Sequence, residues 1–382
     1  MNPSIAIVGG GPGGLTLARI LHCHGWQATV FEREADPLAR PQGGTLDIHE
    51  DSGQRALALA GLTDEFLRVA RYEDQGARLL DMHGRVLYEE TEAAGGNRPE
   101  VDRTALRAIL LSSLPEGCVR WNSDCRAVRE AGNDRWEIVL ADGPAGSFDL
   151  VVGADGAWSR LRPLLSPYRP QYSGLTFIEF GIDDVDRRHP ALARLVGRGK
   201  LDAEGAGKGL IVQRNGNAHL RGYAVFRVPV AWVERNFDFS DPAAVRAELL
   251  RQFDGYAEGL LDLIRASNEH IVPRYIHALP VGHRWPHRRG ITLLGDAAHL
   301  MSPFGGEGVN AAMIDAAELA TQLVGGGDWD AAVAACEAHM FERIVEAAEG
   351  SAEAAATQLS HDGLALSLEH WRSHASQEEV AA

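Results

Sequence analysis

The feature that most constrains the fold is a glycine-rich turn between two short apolar runs near the start of the 382-residue chain. Residues 4–8 are apolar, and the pattern G-x-G-x-x-G follows at once over residues 9–14. Apolar residues then recur at helical spacing, and a second apolar run over residues 28–31 ends at Glu32. A strand, a turn, a helix and a strand in this order are typical of a βαβ unit. The sequence therefore predicts an α/β fold built on a parallel sheet.

Each glycine of this turn has a separate role when the turn binds a dinucleotide. Gly9 permits the tight turn after the strand, Gly11 lets the backbone approach a pyrophosphate, and Gly14 permits close contact between helix and strand. The N-terminus of the following helix directs N–H groups at the phosphates. Glu32, at the end of the second strand, is placed to accept hydrogen bonds from ribose hydroxyls. A glycine-rich turn without a ligand is the alternative, and the turn alone does not separate FAD from NAD.

Two further strands are predicted to end in acidic turns. A buried strand over residues 148–154 runs into Asp155-Gly156, and a helix bearing arginines is predicted to follow it. A second buried strand, over residues 291–294, ends in Gly295-Asp296, and the glycine-rich residues 303–308 lead into a helix over residues 309–323. An aspartate at a strand end can bind ribose or ribityl hydroxyls, and glycines let the backbone lie against a flat ring. The helix N-terminus would then stabilise the negative charge of a reduced flavin.

With these three motifs in this order, the sequence resembles the group A FAD-dependent monooxygenases of the aromatic-hydroxylase type. Three segments are more closely similar to the tetracycline-inactivating flavin monooxygenases. They are residues 43–49 (GGTLDIH), residues 103–111 (RTALRAILL) and residues 295–304 (GDAAHLMSPF). The resemblance implies FAD contacts by Glu32, Asp47, Arg103 and Asp296, with Arg40 close to the flavin or NADPH. Surface ion pairing is the alternative for Arg40 and Arg103.

The motifs and the resemblance together predict one set of FAD-binding residues. The set is Gly9, Gly11, Pro12, Gly13, Gly14, Glu32, Arg33, Arg40, Asp47, Arg103, Asp155, Gly156, Gly295, Asp296, Pro303, Gly306, Gly308, Val309 and Asn310. Glu307 departs from the family pattern, because a carboxylate beside the flavin would oppose the charge of its reduced form. It is interpreted either as a solvent-facing residue or as a group that tunes reoxidation. Arg107 and His299 are interpreted as structural.

In the family that the sequence resembles, NADPH or NADH reduces FAD, and O2 then adds to give a flavin C4a-hydroperoxide. That species delivers oxygen to an aromatic or enolic carbon. Because the cofactor carries this chemistry, no catalytic side chain is assigned. The sequence also offers no convincing metal site: His283 and His287 flank Trp285-Pro286, and the four cysteines lack C-x-x-C spacing.

The expected substrate contacts are Ile211, Arg221, Tyr223 and Phe304. Arg221 stands where the tetracycline-inactivating subgroup has a histidine, Tyr223 where it has a glycine, and Asp202 where it has a methionine. A tyrosine in place of glycine reshapes the pocket. The expected substrate is therefore a small polycyclic, aromatic or polyketide-like molecule, with tetracycline as one candidate. An FAD-dependent NAD(P)H reductase or oxidase with lost or uncoupled oxygenation is the alternative activity, and a non-enzymatic carrier or sensor is a third reading.

The expected architecture is a Rossmann-like FAD-binding domain (residues 1–72, 97–175 and 279–325) with a parallel sheet. A substrate lobe (residues 73–96 and 176–278) with a mainly antiparallel sheet and a C-terminal helical segment (residues 326–382) complete it. A net charge of −16 argues against nucleic-acid partners. The chain has no apolar run long enough for a membrane span and no signal-peptide pattern at its N-terminus. It is therefore expected in the cytoplasm, as a monomer that binds a small molecule and O2.

Overall fold

The computed structural model describes residues 2–39, 43–90, 97–357, 359–360, 363–369 and 372. The chain divides into two compact units. The first unit comprises Met1–Ala70, Arg103–Gln171 and His277–Ala352, and the second comprises Arg71–Asp102, Tyr172–Ile276 and Glu353–Ala382.

The strands are β1 (Ile5–Val8), β2 (Ala28–Phe31), β3 (Thr45–Asp47), β4 (Gly76–Asp81), β5 (Val86–Glu90), β6 (Glu100–Asp102), β7 (Val119–Arg120), β8 (Cys125–Gly132), β9 (Arg135–Leu140), β10 (Gly143–Phe148), β11 (Leu150–Gly153), β12 (Gln171–Ile182), β13 (Gly199–Gly205), β14 (Lys208–Asn215), β15 (His219–Arg227), β16 (Val272–Ala278) and β17 (Ile291–Leu293). The α-helices are α1 (Pro12–Cys23), α2 (Arg55–Leu59), α3 (Thr63–Leu67), α4 (Arg103–Ser112), α5 (Val185–Arg188), α6 (Pro190–Val196), α7 (Val230–Asn236), α8 (Pro242–Gln252), α9 (Glu258–Arg265), α10 (Asp296–His299), α11 (Glu307–Val324) and α12 (Trp329–Thr357). A π-helix covers Glu50–Gln54, and 3₁₀ turns cover Tyr72–Asp74 and Arg162–Leu164. Within the described residues, no helix is both long and apolar enough to cross a bilayer.

The first unit is built on a parallel sheet in the order β17-β11-β1-β2-β7. Ile5 pairs with Ala28 on one side and with Leu150 on the other. Every residue of β1 and β11 is buried, as expected of strands covered on both faces. Because parallel strands end at the same edge, the turns that follow β1, β11 and β17 meet there. The parallel sheet predicted from the apolar runs is confirmed, and an antiparallel sheet β10-β9-β8 accompanies it.

The second unit contains a sheet in the order β16-β12-β15-β14-β13-β4-β5. The pairs β12–β15, β15–β14, β14–β13 and β4–β5 are antiparallel, and β13–β4 is parallel. This confirms the predicted mainly antiparallel sheet. One face packs on helices in a core that includes Phe180, Leu210, Phe226 and Leu249. The opposite face is not part of this helix-packed core, although Leu79, Asp202 and Glu179 on it are buried; we call it the open face.

Two predictions made along the chain differ from the structure in instructive ways. The prediction of a helix directly after Asp155-Gly156 is wrong, because a turn at this point leads into the 3₁₀ turn Arg162–Leu164. Strand β12 was not predicted, because residues Leu175 to Ile182 are buried on both faces and show no alternation. The C-terminal helix was predicted and is confirmed as the 29-residue α12.

Candidate functional site

The glycine turn after β1 forms an open cradle. Gly9 has φ +111°, and a Cβ atom there would lie 2.2 Å from the Ala154 carbonyl oxygen. A Cβ atom at Gly14 would lie 2.2 Å from the Gly9 carbonyl oxygen. At Gly11, in contrast, no described atom outside residues 10–12 lies within 4 Å of that position. Helix α1 begins at Pro12, so the Gly13 and Gly14 N–H groups lie in its first turn. The space beside Gly11 and the helix N-terminus fit a pyrophosphate.

Glu32 is fixed beside this turn. Its Oε2 accepts a hydrogen bond from the Gly10 N–H at 2.7 Å, and its Oε1 accepts one from the Glu34 N–H at 3.0 Å. The buried Arg107 donates to the Gly10 carbonyl oxygen at 3.2 Å and pairs with Glu34 at 2.9 Å. The neighbouring Arg33 is exposed. Arg107 therefore holds the acidic end of β2 against the glycine turn, in keeping with its structural interpretation.

Arg162 joins the turns that follow β11 and β17. Its side chain is almost fully buried and donates to the carbonyl oxygens of Ala157 at 2.9 Å, Ala297 at 2.7 Å and Asp296 at 3.0 Å. Burial lowers the pKa of this guanidinium, and Asp155 and Asp296 oppose the shift. No role for Arg162 was predicted from the sequence. Its partners are set by the fold, and the only local signal was an arginine close behind a strand-end Asp-Gly.

Asp155 carries a buried oxygen that its surroundings leave unsatisfied. Its Oδ2 accepts a hydrogen bond from the Arg160 N–H at 2.7 Å. No hydrogen-bond partner of Oδ1 lies within the part of the chain that the structure describes. Burial raises the pKa of the Asp155 carboxyl. Asp155 Oδ1 is therefore suited to accept a hydrogen bond from a donor on a bound ligand.

Asp296 is accessible to solvent at the start of α10. A Cβ atom at Gly308 would lie 3.9 Å from Asp296 Oδ1, so the carboxyl lies beside the first turn of α11. Desolvation by the surrounding protein raises the pKa of the Asp296 carboxyl, while the charges of His299, Arg103 and Arg162 oppose that shift. The carboxyl, the helix N-terminus and the glycine backbone are thus in one place, as the motif predicts.

Asn310 ties the 45–49 segment to the N-terminus of α11. Its Nδ2 donates to the Asp47 carbonyl oxygen at 2.9 Å, and its Oδ1 accepts from the His49 N–H at 2.9 Å. Gly306 has φ +72°, and a Cβ atom there would lie 2.5 Å from Asp47 Oδ1. His49 lies 3.0 Å from Asp47 Oδ2 through Nε2 and 3.7 Å from Glu307 Oε2 through Nδ1. The Glu307 carboxylate therefore faces His49, a neighbour that the sequence analysis missed.

The remaining predicted residues are distributed around the same edge. The Arg103 N–H donates to the Gly44 carbonyl oxygen at 3.1 Å, and a Cβ atom at Gly43 would lie 3.8 Å from Arg103 Cδ. Gly156 has φ +78° and open space beside it. Pro303 is exposed and Val309 is half-buried. Arg40 lies outside the described residues.

A buried ion-pair cluster lies behind the Gly295-Asp296 turn. Asp315 Oδ2 accepts hydrogen bonds from the Gly295 N–H at 2.9 Å and pairs with His299 Nε2 at 2.6 Å, and Asp315 also pairs with Arg343 of α12. Burial alone would lower the pKa of His299, but the Asp315 carboxylate outweighs burial and raises it. Burial would raise the pKa of Asp315, but His299 and Arg343 hold it low. The cluster fixes the turn that presents Asp296.

The predicted substrate residues fall in both units. Ile211, Arg221 and Tyr223 lie on the open face of the second unit, whereas Phe304 belongs to the first. Ile211 and Tyr223 are paired across β14 and β15, and the Tyr223 ring lies 5.7 Å from that of Phe177. The Arg221 guanidinium pairs with the buried Glu179, which also binds Arg274 at 2.9 Å. This pairing of Arg221 with Glu179 was not predicted from the sequence.

Across the described ranges, no cluster of three histidine, cysteine or acidic side chains is arranged to hold a metal ion. The residues at the sheet edge instead fit FAD. They supply an open glycine cradle, an unsatisfied buried Asp155 oxygen and a carboxyl beside a helix N-terminus.

Comparison with known proteins gives concordant matches. A family model described as an FAD binding domain matches residues 3–326. Monooxygenase penA of Penicillium thymicola is 34% identical over 366 residues, which cover 84% of this chain and 84% of penA. Klebsiella pneumoniae HpxO complexed with FAD and uric acid has a TM-score of 0.81 at 23% identity, covering 98% of this chain and 93% of that chain. Tetracycline destructase Tet(51) has a TM-score of 0.71 at 20% identity, covering 100% and 97%. The two structures share this fold.

Proposed function

Because the chain belongs to the FAD-binding domain family and is an FAD-dependent monooxygenase, we propose that it hydroxylates a small polycyclic, aromatic or polyketide-like molecule. The reaction uses O2 and either NADPH or NADH. The observation that carries the proposal is the meeting of three strand-end turns at one edge of a parallel sheet, in a chain that matches the FAD-binding family over residues 3–326.

We assign the cofactor contacts as follows. The Gly11 cradle and the N-terminus of α1 hold the pyrophosphate, and Glu32 lies beside the adenosine ribose. Asp155 and Asp296 accept hydrogen bonds from hydroxyl groups of the cofactor. The N-terminus of α11, from Glu307 onward, stabilises negative charge on the reduced ring.

When bound, FAD supplies hydride acceptance from the nicotinamide and the activation of O2. The protein binds and orients the reactants and excludes water from them. Of the predicted substrate residues, Ile211 and Tyr223 offer an apolar and aromatic surface. The Arg221 guanidinium is held in place by Glu179, which also binds Arg274.

The decisive experiment is a substrate panel that includes tetracyclines and aromatic polyketides. The purified protein should show flavin absorbance and should oxidise NADPH or NADH. Mass spectrometry should show a product heavier than its substrate by one oxygen atom. If every compound yields only hydrogen peroxide, in equal amount to the nicotinamide consumed, the protein is an uncoupled oxidase and the proposal fails.

The cofactor assignment is tested most sharply at Gly11. Replacement with alanine places a methyl group in the cradle, where no protein atom lies within 4 Å, so the fold is undisturbed. We expect Gly11→Ala to weaken FAD binding roughly tenfold, measured by flavin fluorescence during dialysis. Gly350→Ala is the matched control, because no atom lies within 4 Å there either. Equal FAD retention by both variants would contradict the assignment.

A further inference from the structure

One row of side chains crosses the open face of the second unit. Strand register aligns it in a single line, and directly paired residues lie side by side on the same face of a sheet. The row, which we call the central row, consists of Tyr88, Leu79, Asp202, Ile211, Tyr223 and Glu179. It combines aromatic and aliphatic side chains with two carboxyl groups, one near the middle and one at the end.

The two carboxyl groups of the central row have different surroundings. Glu179 is bound by Arg221 and Arg274. Asp202 is only 6% exposed, yet no hydrogen-bond donor for its Oδ1 and no cation paired with it occur among the described residues. Buried polar atoms are nearly always hydrogen-bonded, so an unsatisfied one requires an explanation.

Two hydroxyl groups near Asp202 and its neighbour Glu204, among the described residues, donate to atoms other than Asp202 Oδ1. Tyr256 directs its hydroxyl to the carbonyl oxygens of Gly205 and Lys208, at 2.7 and 2.8 Å. Ser367 donates instead to Glu204, at 2.9 Å. Glu204 itself is a second buried carboxyl on the same face, two residues along β13, and adds negative charge.

Burial and Glu204 raise the pKa of Asp202, and Lys200 opposes this to a smaller extent. A buried acid with an unsatisfied oxygen, beside a second buried acid, favours a partner that brings both a hydrogen-bond donor and positive charge. A nitrogen of an amine satisfies both requirements, whereas a hydroxyl supplies only the donor.

We infer that Asp202 is a specificity-determining residue that binds an amino group of the substrate. The apolar and aromatic side chains of the central row bind the ring, and Asp202 Oδ1 accepts a hydrogen bond from the N–H group of the amine. The inference rests on the proposed function in one respect, that the open face receives the substrate.

Matched pairs of small aromatic molecules test it. We would measure the binding of tyramine against para-ethylphenol and of benzylamine against benzyl alcohol to the flavin-loaded full chain. Two readouts are used, the visible absorption of the bound flavin and the ligand-induced rise in melting temperature. The second requires no turnover. We expect the native protein to bind the amine-bearing member of at least one pair about tenfold more tightly.

The variants separate recognition from structure. Asp202→Asn preserves the size of the side chain, and we expect it to reduce the preference for the amine to about twofold or less. Lys200→Gln, two residues away on the exposed end of the same face, controls for a general change of charge and should keep the preference. Flavin absorbance and melting temperature of the ligand-free variants establish that they are folded.

Two results overturn the inference. One is that the native protein prefers the amine in neither pair, and the other is that the preference survives in Asp202→Asn. Failure of the proposed function looks different, because the native protein would then lack flavin or would not oxidise NADPH and NADH.

Discussion

Two buried aspartates, one in each unit, show how differently the same side chain is used. Asp315 of the first unit is bonded to a backbone N–H, a histidine and an arginine. Asp202 of the second unit is equally buried, but one oxygen has no partner in the described structure. A carboxylate with several internal partners stabilises the fold, whereas one without them costs free energy until a ligand satisfies it. The difference separates a residue that supports a site from one that belongs to it.

The largest effect is expected at Asp315. Asp315→Asn removes the carboxylate charge between His299 and Arg343. It should lower the free energy of unfolding by about 3–5 kcal/mol, because the buried His299 loses its charged partner and the half-buried Arg343 keeps only Glu318. Urea denaturation followed by circular dichroism measures it. The exposed Asp142→Asn should change stability by less than about 0.5 kcal/mol. If Asp315→Asn changed the free energy of unfolding as little as Asp142→Asn does, Asp315 would not support the fold and its contrast with Asp202 would be lost.

The pH dependence of stability should come next in size. The pKa of His299 is raised above its usual 6.5, so its pairing contributes fully below that pH and is lost as pH rises through the raised value. The pKa of Asp315 is lowered below 3.8, so its contribution holds above that pH and is lost as pH falls through the lowered value. The ion pair of His299 and Asp315 therefore stabilises the fold most between pH 3.8 and pH 6.5.

We expect His299→Gln to remove the alkaline part of this profile, by about 1.4 kcal/mol for each unit by which the pKa is raised. Urea denaturation of both proteins across the neutral and alkaline range measures it. Parallel profiles for the two proteins would mean that His299 is neutral in the folded state.

The smallest effect is expected at Asp202. Asp202→Leu replaces an unsatisfied carboxyl with an apolar side chain of similar size, and it should raise the free energy of unfolding by about 1 kcal/mol or leave it unchanged. Thermal denaturation of the ligand-free protein is the measurement. The same change at Asp315 is the control and should destabilise. A clear loss of stability in Asp202→Leu would show that the carboxyl supports the fold after all.

The sequence predicted the parts of the molecule that depend on neighbours in the chain. The glycine turn, the strand-end aspartates and the helix after Gly306 are local patterns, and the structure brings them to one edge. The contacts of Arg162 were not predictable in this way, because its partner Ala297 lies 135 residues further along. Arg221 was expected to contact the substrate, and its pairing with Glu179, 42 residues earlier in the chain, was equally unpredictable from local pattern.

Helix α12 sets a limit on how far this protein can be shortened. The family match ends at residue 326, three residues before the helix begins. Yet Arg343 of this helix pairs with Asp315, and its Glu337 accepts hydrogen bonds from Trp285 and Thr292 at 3.0 and 2.7 Å. A fragment cut at the family boundary would leave Trp285 Nε1 and Thr292 Oγ1 without this acceptor, and Asp315 would lose one of its two cationic partners. The homologous region and the smallest autonomously folding region are therefore not the same stretch of chain.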